Sequence, residues 1–79
     1  IISKEKLLSK ICHRFRVNPK DVAYIGDDIN DVKIMKLVGF SATPVNGLSQ
    51  VKKTADYICK SRGGEGAFRE FADLILLKI

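Results

Sequence analysis

Along its 79 residues the chain alternates four segments of helical periodicity with three short apolar runs. The runs at residues 22–25, 40–42 and 57–59 are bounded by turn residues and are too short for helices, so we predict strands there. We predict the helices at residues 3–15, 30–37, 48–53 and from residue 65 onward. Strands that alternate with helices form a parallel sheet. The pattern therefore predicts an α/β fold: a Rossmann-like parallel sheet with flanking helices.

The first and last helical segments carry apolar stripes that predict which face each helix buries. In the first helix the stripe consists of Leu7, Leu8, Ile11, Cys12 and Phe15. In the last helix it consists of Phe68, Ala72, Ile75 and Leu76. Residues at this spacing lie on one side of a helix, so both stripes are expected to face the sheet. Ser3 is expected to cap the start of the first helix.

Composition narrows the classes of function. The net charge of +5, from 14 basic and 9 acidic side chains, indicates either a solvated surface or attraction for anionic ligands such as phosphate esters. No basic run contains interleaved aromatic residues, and no apolar run approaches the ~18 residues of a membrane span, so we expect neither nucleic-acid nor membrane partners. Cys12 and Cys59 form no CxxC pair and are predicted to be buried free thiols in a reducing cytoplasm.

Three carboxylates and one carboxamide follow the first predicted strand: Asp27, Asp28, Asn30 and Asp31. Gly26 allows the chain to turn sharply into this acidic loop, residues 26–31. Ligands of open α/β sheets bind beyond the carboxyl ends of the strands. Mg²⁺ takes one or two carboxylates and keeps its other positions for water and a substrate phosphate. The alternative is that these side chains cap the next helix, and the residues alone leave both interpretations open.

Two motifs carry a family resemblance. Residues 22–31, VAYIGDDIND, resemble the fourth motif of the haloacid dehalogenase phosphatases, GDxxxD in its GDDxND form. Residues 63–71, GGEGAFREF, are similar to the tail of the 3-deoxy-D-manno-octulosonate 8-phosphate phosphatases. Related sequences form the C-terminal domain of some acylneuraminate cytidylyltransferases, and the sialic-acid 9-phosphate phosphatases look similar. The resemblance implies that residues 1–79 are the C-terminal half of a single haloacid dehalogenase-like domain.

The resemblance also implies roles for the polar side chains. Asp27 would ligate Mg²⁺ directly, and Asp28 and Asp31 would hold metal-bound waters or orient Lys4. Asn30 would support the loop through hydrogen bonds. Lys4, near the start of the first helix, would neutralise the transferring phosphoryl group, because an ammonium group is a compact charge suited to phosphate. Electrostatic stabilisation of this kind carries most of phosphoryl-transfer catalysis.

The family's nucleophile is the first Asp of a DxD motif, and no DxD pair occurs in these residues. We therefore expect the nucleophile to lie outside residues 1–79 and this span alone to be inactive. The intact protein would hydrolyse a phosphate monoester of a sugar acid, either 3-deoxy-D-manno-octulosonate 8-phosphate or a sialic-acid 9-phosphate. The alternatives are a regulatory or oligomerisation domain of an acylneuraminate cytidylyltransferase, and a simple metal-binding or interaction module.

A glycine-rich loop, residues 61–66, precedes the last predicted helix. Gly63 and Gly64 would allow it to cradle a phosphate, or it is a flexible connector. The resembling phosphatases are tetramers in which this region lies near a neighbouring active site, so a homo-oligomer is expected. By that analogy Arg62 or Arg69 would contact the carboxylate of the sugar acid. The alternative for Arg69 is a surface ion pair with Glu65, four residues earlier.

Overall fold

The computed structural model describes the backbone of residues 4–77 and the side chains of residues 5–76. Within this part of the chain the α-helices are α1 (Lys4–Phe15), α2 (Val32–Leu37), α3 (Ser49–Thr54) and α4 (Ala67–Leu77). The strands are β1 (Ala23–Ile25), β2 (Phe40–Thr43) and β3 (Tyr57–Ile58). Two short 3₁₀ turns, Pro19–Asp21 and Ile29–Asp31, precede β1 and α2.

The three strands form one parallel sheet in the order β1-β2-β3. Ala42, in the central strand, pairs with Ile25 on one side and with Tyr57 on the other. Each strand is connected to the next through a helix, as parallel pairing requires. The predicted α/β fold, with its parallel sheet and flanking helices, is therefore confirmed.

Side chains alternate along the strands and divide the core into two apolar layers. One layer lies between the sheet and α1, α2 and α3, and its buried members are Leu8, Cys12, Ile34, Met35, Val38 and Val51. The other lies between the sheet and α4, and its buried members are Ala42, Cys59, Ala67 and Phe71. Phe40 and Phe71 stack in the second layer with their ring centroids 6.1 Å apart. Cys12 and Cys59 are free and buried, as predicted.

The predicted stripe of the last helix is correct only in part: Ile75 packs against the core, but the buried face is centred elsewhere. Phe68 and Leu76 are 71% and 68% exposed, whereas Ala67 and Phe71 are buried. The predicted start at residue 65 is also two residues early, because Gly64 and Gly66 have φ angles of 81° and 109° that are incompatible with a helix. The small Ala67 therefore begins the helix against Cys59, whose thiol lies 3.8 Å from the carbonyl oxygen of Ala67. Ala67 and Phe71 thus lie on the face that meets the sheet.

The first helix buries only part of its predicted stripe. Leu8 and Cys12 are buried, whereas Leu7, Ile11 and Phe15 are exposed. The helix touches the molecule mainly through α2 and the 3₁₀ turn before β1, so its contact face is narrow. Ser3, the predicted cap, lies outside the described residues. No helix within residues 4–77 combines the length and apolar character that crossing a bilayer requires.

Candidate active site

The acidic loop begins where β1 ends, at the carboxyl edge of the sheet. Gly26 is buried there, and its amide donates a hydrogen bond of 3.0 Å to the carbonyl oxygen of Ala42 in β2. A Cβ atom at position 26 would lie 2.6 Å from the Cβ of Asp31, far inside contact distance. The loop can therefore close on itself only because residue 26 is glycine.

Asp31 holds the acidic loop together from inside. Its side chain is only 3% exposed. One carboxylate oxygen, Oδ2, accepts hydrogen bonds from the backbone amides of Asp27 at 3.0 Å and Asp28 at 3.1 Å. The other, Oδ1, accepts a hydrogen bond of 2.6 Å from the phenol of Tyr24. Because a buried carboxylate needs such donors, Asp31 and the loop backbone stabilise each other.

Asp28 caps the 3₁₀ turn that leads into α2. Its Oδ1 accepts a hydrogen bond of 2.7 Å from the amide of Ile29. Its Oδ2 accepts a long hydrogen bond of 3.5 Å from the side-chain Nδ2 of Asn30 on an exposed surface. Asp28 and Asp31 together form a reciprocal capping box. Capping, one of the two interpretations that the sequence left open, is therefore observed for Asp28 and Asp31 at this turn.

Asp27 differs from the other two aspartates of the loop. Its side chain is exposed, like that of Asp28. Among the described residues, however, none donates a hydrogen bond to the Asp27 carboxylate, although its backbone amide is held by Asp31. The carboxylate of Asp27 therefore faces solvent at the carboxyl edge of the sheet, on a backbone that Asp31 holds in place.

The donor set fits a hard divalent cation. Within residues 5–76, no three His, Cys, Asp or Glu side chains converge on a common point. Mg²⁺ does not require such a cluster, because it commonly binds one or two protein carboxylates and completes its shell with water and substrate oxygens. Asp27 is suited to be such a ligand, and Asp28 is the nearest further carboxylate along the loop.

The glycine-rich loop lies opposite the acidic loop across an open cleft of about 330 Å³. The cleft is lined on one side by Tyr24, Ile25, Gly26, Asp27 and Asp31, and on the other by Pro44, Gly63, Gly64, Ala67 and Phe68. Parallel strands bring these segments together, because all three strands end at the same edge of the sheet. Gly63 and Gly64 therefore share a cleft with Asp27, although 36 residues separate Gly63 from Asp27 in the sequence.

Two residues that the sequence interpretation did not single out hold the glycine-rich loop. Asn46 Oδ1 accepts a hydrogen bond of 2.7 Å from the amide of Gly63. Glu70, in the first turn of α4, accepts hydrogen bonds from the amides of Lys60 and Ser61, both at 2.9 Å, and from the phenol of Tyr57 at 2.7 Å. Glu70 belongs to the GGxGAxRE motif, which was the available signal for its importance.

These hydrogen bonds explain two pKa shifts. The phenol of Tyr57 and then the amide of Lys60 stabilise the charged carboxylate and lower the pKa of Glu70 to about 2. The same contact with Glu70 raises the pKa of Tyr57, because ionisation would break the hydrogen bond and place two negative charges together. Glu70 is therefore an ionised anchor for the loop over the whole neutral pH range.

The two candidate arginines lie outside the cleft. Arg62 forms an exposed ion pair with Glu65 at 2.9 Å. Arg69 pairs with Asp73 at 3.3 Å, one turn further along α4. The alternative of a pair between Arg69 and Glu65 is therefore wrong, because Glu65 lies before the helix and faces Arg62. Within one chain, neither guanidinium lines the cleft that contains Asp27.

Lys4 is the first residue of α1, and its side chain lies outside the described residues. Its predicted contact with the phosphoryl group therefore stays a prediction. The structure brings together Asp27, Asp31, Gly26, Gly63 and Gly64 in one cleft.

Comparison with known proteins agrees with the fold and the motifs. A model of the haloacid dehalogenase-like hydrolase family matches residues 1–70. The 3-deoxy-D-manno-octulosonate 8-phosphate phosphatase KdsC of Escherichia coli is 38% identical over 69 residues, covering 87% of this chain and 37% of that protein. N-acylneuraminate cytidylyltransferase A of Danio rerio is 39% identical over 74 residues, covering 94% of this chain and 17% of that protein.

Among solved structures, the 3-deoxy-D-manno-octulosonate 8-phosphate phosphatase of Moraxella catarrhalis, in complex with magnesium ion, phosphate ion and KDO, superposes with a TM-score of 0.89. It is 36% identical, and the match covers 94% of this chain and 42% of that one. The chain thus spans about two fifths of the length of the phosphatases it matches. On the family match, which extends over most of its length, the chain belongs to the haloacid dehalogenase-like hydrolase family.

Proposed function

We propose that the full-length protein is a Mg²⁺-dependent phosphatase that hydrolyses the phosphate monoester of a sugar acid. The substrate is 3-deoxy-D-manno-octulosonate 8-phosphate or a sialic-acid 9-phosphate, and residues 1–79 are the C-terminal half of its single catalytic domain. The observation that carries the proposal is the exposed Asp27 carboxylate, fixed by buried Asp31 at the carboxyl edge of a parallel sheet. The similarity to phosphatases of this class supports the choice of substrate.

Asp27 and Asp28 would hold the metal ion, Asp27 directly and Asp28 through a bound water. Bound Mg²⁺ supplies positive charge to the phosphoryl oxygens. Asp31 keeps the amides of Asp27 and Asp28 in place, and Lys4 adds a second positive charge beside the phosphoryl group. These residues stabilise charge and orient the phosphate, which is most of what phosphoryl transfer requires of a protein.

The covalent step belongs to an aspartate outside these residues. Its carboxylate oxygen would attack phosphorus, the bond from phosphorus to the sugar oxygen would break, and that oxygen would take a proton from the second aspartate of the DxD motif, the family's general acid-base, which also lies outside these residues. Water then attacks the aspartyl-phosphate, releases inorganic phosphate and regenerates the aspartate. In a homo-oligomer, with a tetramer as the expected form, Arg62 or Arg69 would reach the sugar acid bound to a neighbouring subunit.

A second candidate is a regulatory or oligomerisation domain of an acylneuraminate cytidylyltransferase. The observation that favours it is the 39% identity to the cytidylyltransferase of Danio rerio over 94% of this chain. A domain in that role would use the same fold without needing turnover at Asp27. Phosphatase activity of the full-length protein separates the two candidates.

The test is a phosphatase assay of the full-length protein on both sugar-acid phosphates, with Mg²⁺ and with a chelator. Asp27→Asn is expected to lower kcat/KM by at least about 100-fold. Replacing a residue that only supports a metal ligand typically lowers metal affinity or activity about 10–100-fold, and loss of a direct ligand should cost at least as much. Asp21→Asn is the matched control, since Asp21 is an exposed aspartate before β1, at the opposite edge of the sheet. Activity without metal, or full activity of Asp27→Asn, would refute the proposal.

A further inference from the structure

The side chain of Asn46 links two parts of the cleft that are distant in sequence. It lies in the turn after β2, and its Oδ1 accepts a hydrogen bond of 2.7 Å from the amide of Gly63. Beside it, the amide of Val45 donates a hydrogen bond of 3.0 Å to the carbonyl oxygen of Ser61. The start of the glycine-rich loop is thus fixed to the turn at two successive points.

Packing reinforces these hydrogen bonds. A Cβ atom at position 63 would lie 3.4 Å from Cγ of Pro44 and 3.6 Å from Oδ1 of Asn46, so the loop backbone rests directly on the turn. On the other side, Glu70 holds the amides of Lys60 and Ser61. The loop is therefore held at residues 60, 61 and 63, and Gly63 and Gly64 line the cleft.

This arrangement gives the cleft a fixed wall opposite Asp27. A phosphate held at Asp27 leaves the rest of its substrate extending across the cleft, whose volume of about 330 Å³ is at the small end of ligand sites. Gly63 and Gly64 line this cleft together with Asp27, so they are within reach of the part of the substrate that does not react. The position of that wall decides how well this part of the substrate binds.

We infer that Asn46 is a positioning residue for the sugar-acid portion of the substrate, acting through the backbone of Gly63 and Gly64. The inference rests on the proposed function and adds a residue to it. Asn46 touches neither the phosphate site nor Asp27. Its loss is therefore expected to weaken binding of the sugar acid while leaving transfer of the phosphoryl group intact.

The experiment compares two substrates in the full-length protein: the sugar-acid phosphate and p-nitrophenyl phosphate, which lacks the sugar acid. Asn46→Ala is expected to raise KM for the sugar-acid phosphate about threefold to tenfold, the range that corresponds to one lost hydrogen bond. Its kcat, and the kinetics with p-nitrophenyl phosphate, are expected to stay within about twofold of the wild type.

Asn18→Ala is the matched control. Asn18 Oδ1 also accepts a hydrogen bond from a backbone amide, that of Lys20 at 2.9 Å, but in the turn before β1 at the opposite edge of the sheet. Asn46→Asp keeps an acceptor at the same place and is expected to preserve the protection of the Gly63 amide from hydrogen exchange, whereas Asn46→Ala loses it.

The outcomes distinguish a failure of the proposed phosphatase function from a failure of the proposed role of Asn46. A wild-type protein with no phosphatase activity contradicts the proposed function, whatever Asn46 does. An active wild type with unchanged KM in Asn46→Ala contradicts the positioning role. Equal losses with both substrates also contradict it, because they would show that Asn46 supports the whole site and not the sugar-acid wall.

Discussion

The acidic loop and the glycine-rich loop face each other across one cleft, but they are held in different ways. Within the acidic loop, the anchor is Asp31, which is buried and lies three to four residues from the amides it holds. The glycine-rich loop is held by Asn46 and Glu70, which reach it from 17 and nine residues away and lie nearer solvent. One side of the cleft is thus determined by local sequence, and the other only by the assembled fold.

The largest effect is expected for Asp31→Ala, which removes the anchor of the acidic loop. Two backbone amides and the phenol of Tyr24 lose their acceptor, and we expect about 3 kcal/mol less free energy of unfolding. The matched control is Asp21→Ala, since Asp21 holds the same position of a capping box in an exposed turn. Denaturant unfolding of the full-length protein measures both.

Asp21→Ala is expected to cost about 1 kcal/mol, the usual contribution of a cap. If Asp31→Ala and Asp21→Ala lost equal stability, the burial of Asp31 would add nothing to the stability of the acidic loop. The proposed difference between the buried anchor of that loop and the more exposed anchors of the glycine-rich loop would then be contradicted.

A smaller effect is expected from adding one methyl group on each side of the cleft. Gly26→Ala brings a Cβ to 2.6 Å from Asp31 and should cost about 2 kcal/mol, because a packed loop cannot give way easily. Gly63→Ala meets its nearest atom, in Pro44, at 3.4 Å and should change stability by less than about 0.5 kcal/mol. Thermal or denaturant unfolding of both variants is the measurement. A Gly63→Ala variant as unstable as Gly26→Ala would show that the two walls are equally crowded.

The smallest effect, and one that depends on pH, is expected for Glu70→Gln. The pKa of Glu70 is lowered from 4.5 to about 2 in the folded protein, so the unfolded chain takes up this proton at higher pH. The stabilisation is therefore complete above pH 4.5 and is lost as the pH falls toward 2. Denaturant unfolding of Glu70→Gln at a series of pH values measures this. The free energy of unfolding of the variant should fall less than that of the wild type between pH 4.5 and 2.

Glu65→Gln serves as the control, because within the described part of the chain the Glu65 carboxylate has one partner, the exposed Arg62. A pH profile of Glu70→Gln that coincides with the wild type between pH 2 and 4.5 would contradict the role of Glu70 as the ionised anchor of the glycine-rich loop.

The same contrast explains what the sequence could predict. The alternation of strands and helices along the chain, the short helices and the acidic loop all follow from local patterns: apolar runs, caps, and the glycine at position 26. Asp31 belongs to the motif, but its burial and its two amide partners were not predicted, since the sequence cannot show which aspartate of the loop turns inward. The sequence therefore predicted that Asp27 and Asp31 belong to the site. The structure shows that Asp31 is buried and holds the loop, whereas the carboxylate of Asp27 is exposed.

Contacts between distant segments escaped prediction. Nothing near Asn46 indicates that its side chain reaches Gly63, because a turn containing asparagine and glycine is common and usually local. The packed face of α4 was predicted only in part for a related reason: Ala67 and Phe71 meet the sheet in place of Phe68 and Leu76, and neighbouring positions on a helix point about 100° apart. Helix periodicity alone could not choose between the two faces.

The separation of the core into two layers has a practical consequence. Cys12 lies in the layer under α1 and Cys59 in the layer under α4, so each side of the sheet contains one buried thiol. A thiol reagent reaches either sulfur only when its own layer opens. The rates at which a thiol reagent modifies the two positions would thus report separately on the opening of the front and the back of one sheet, with no cysteine introduced by mutation.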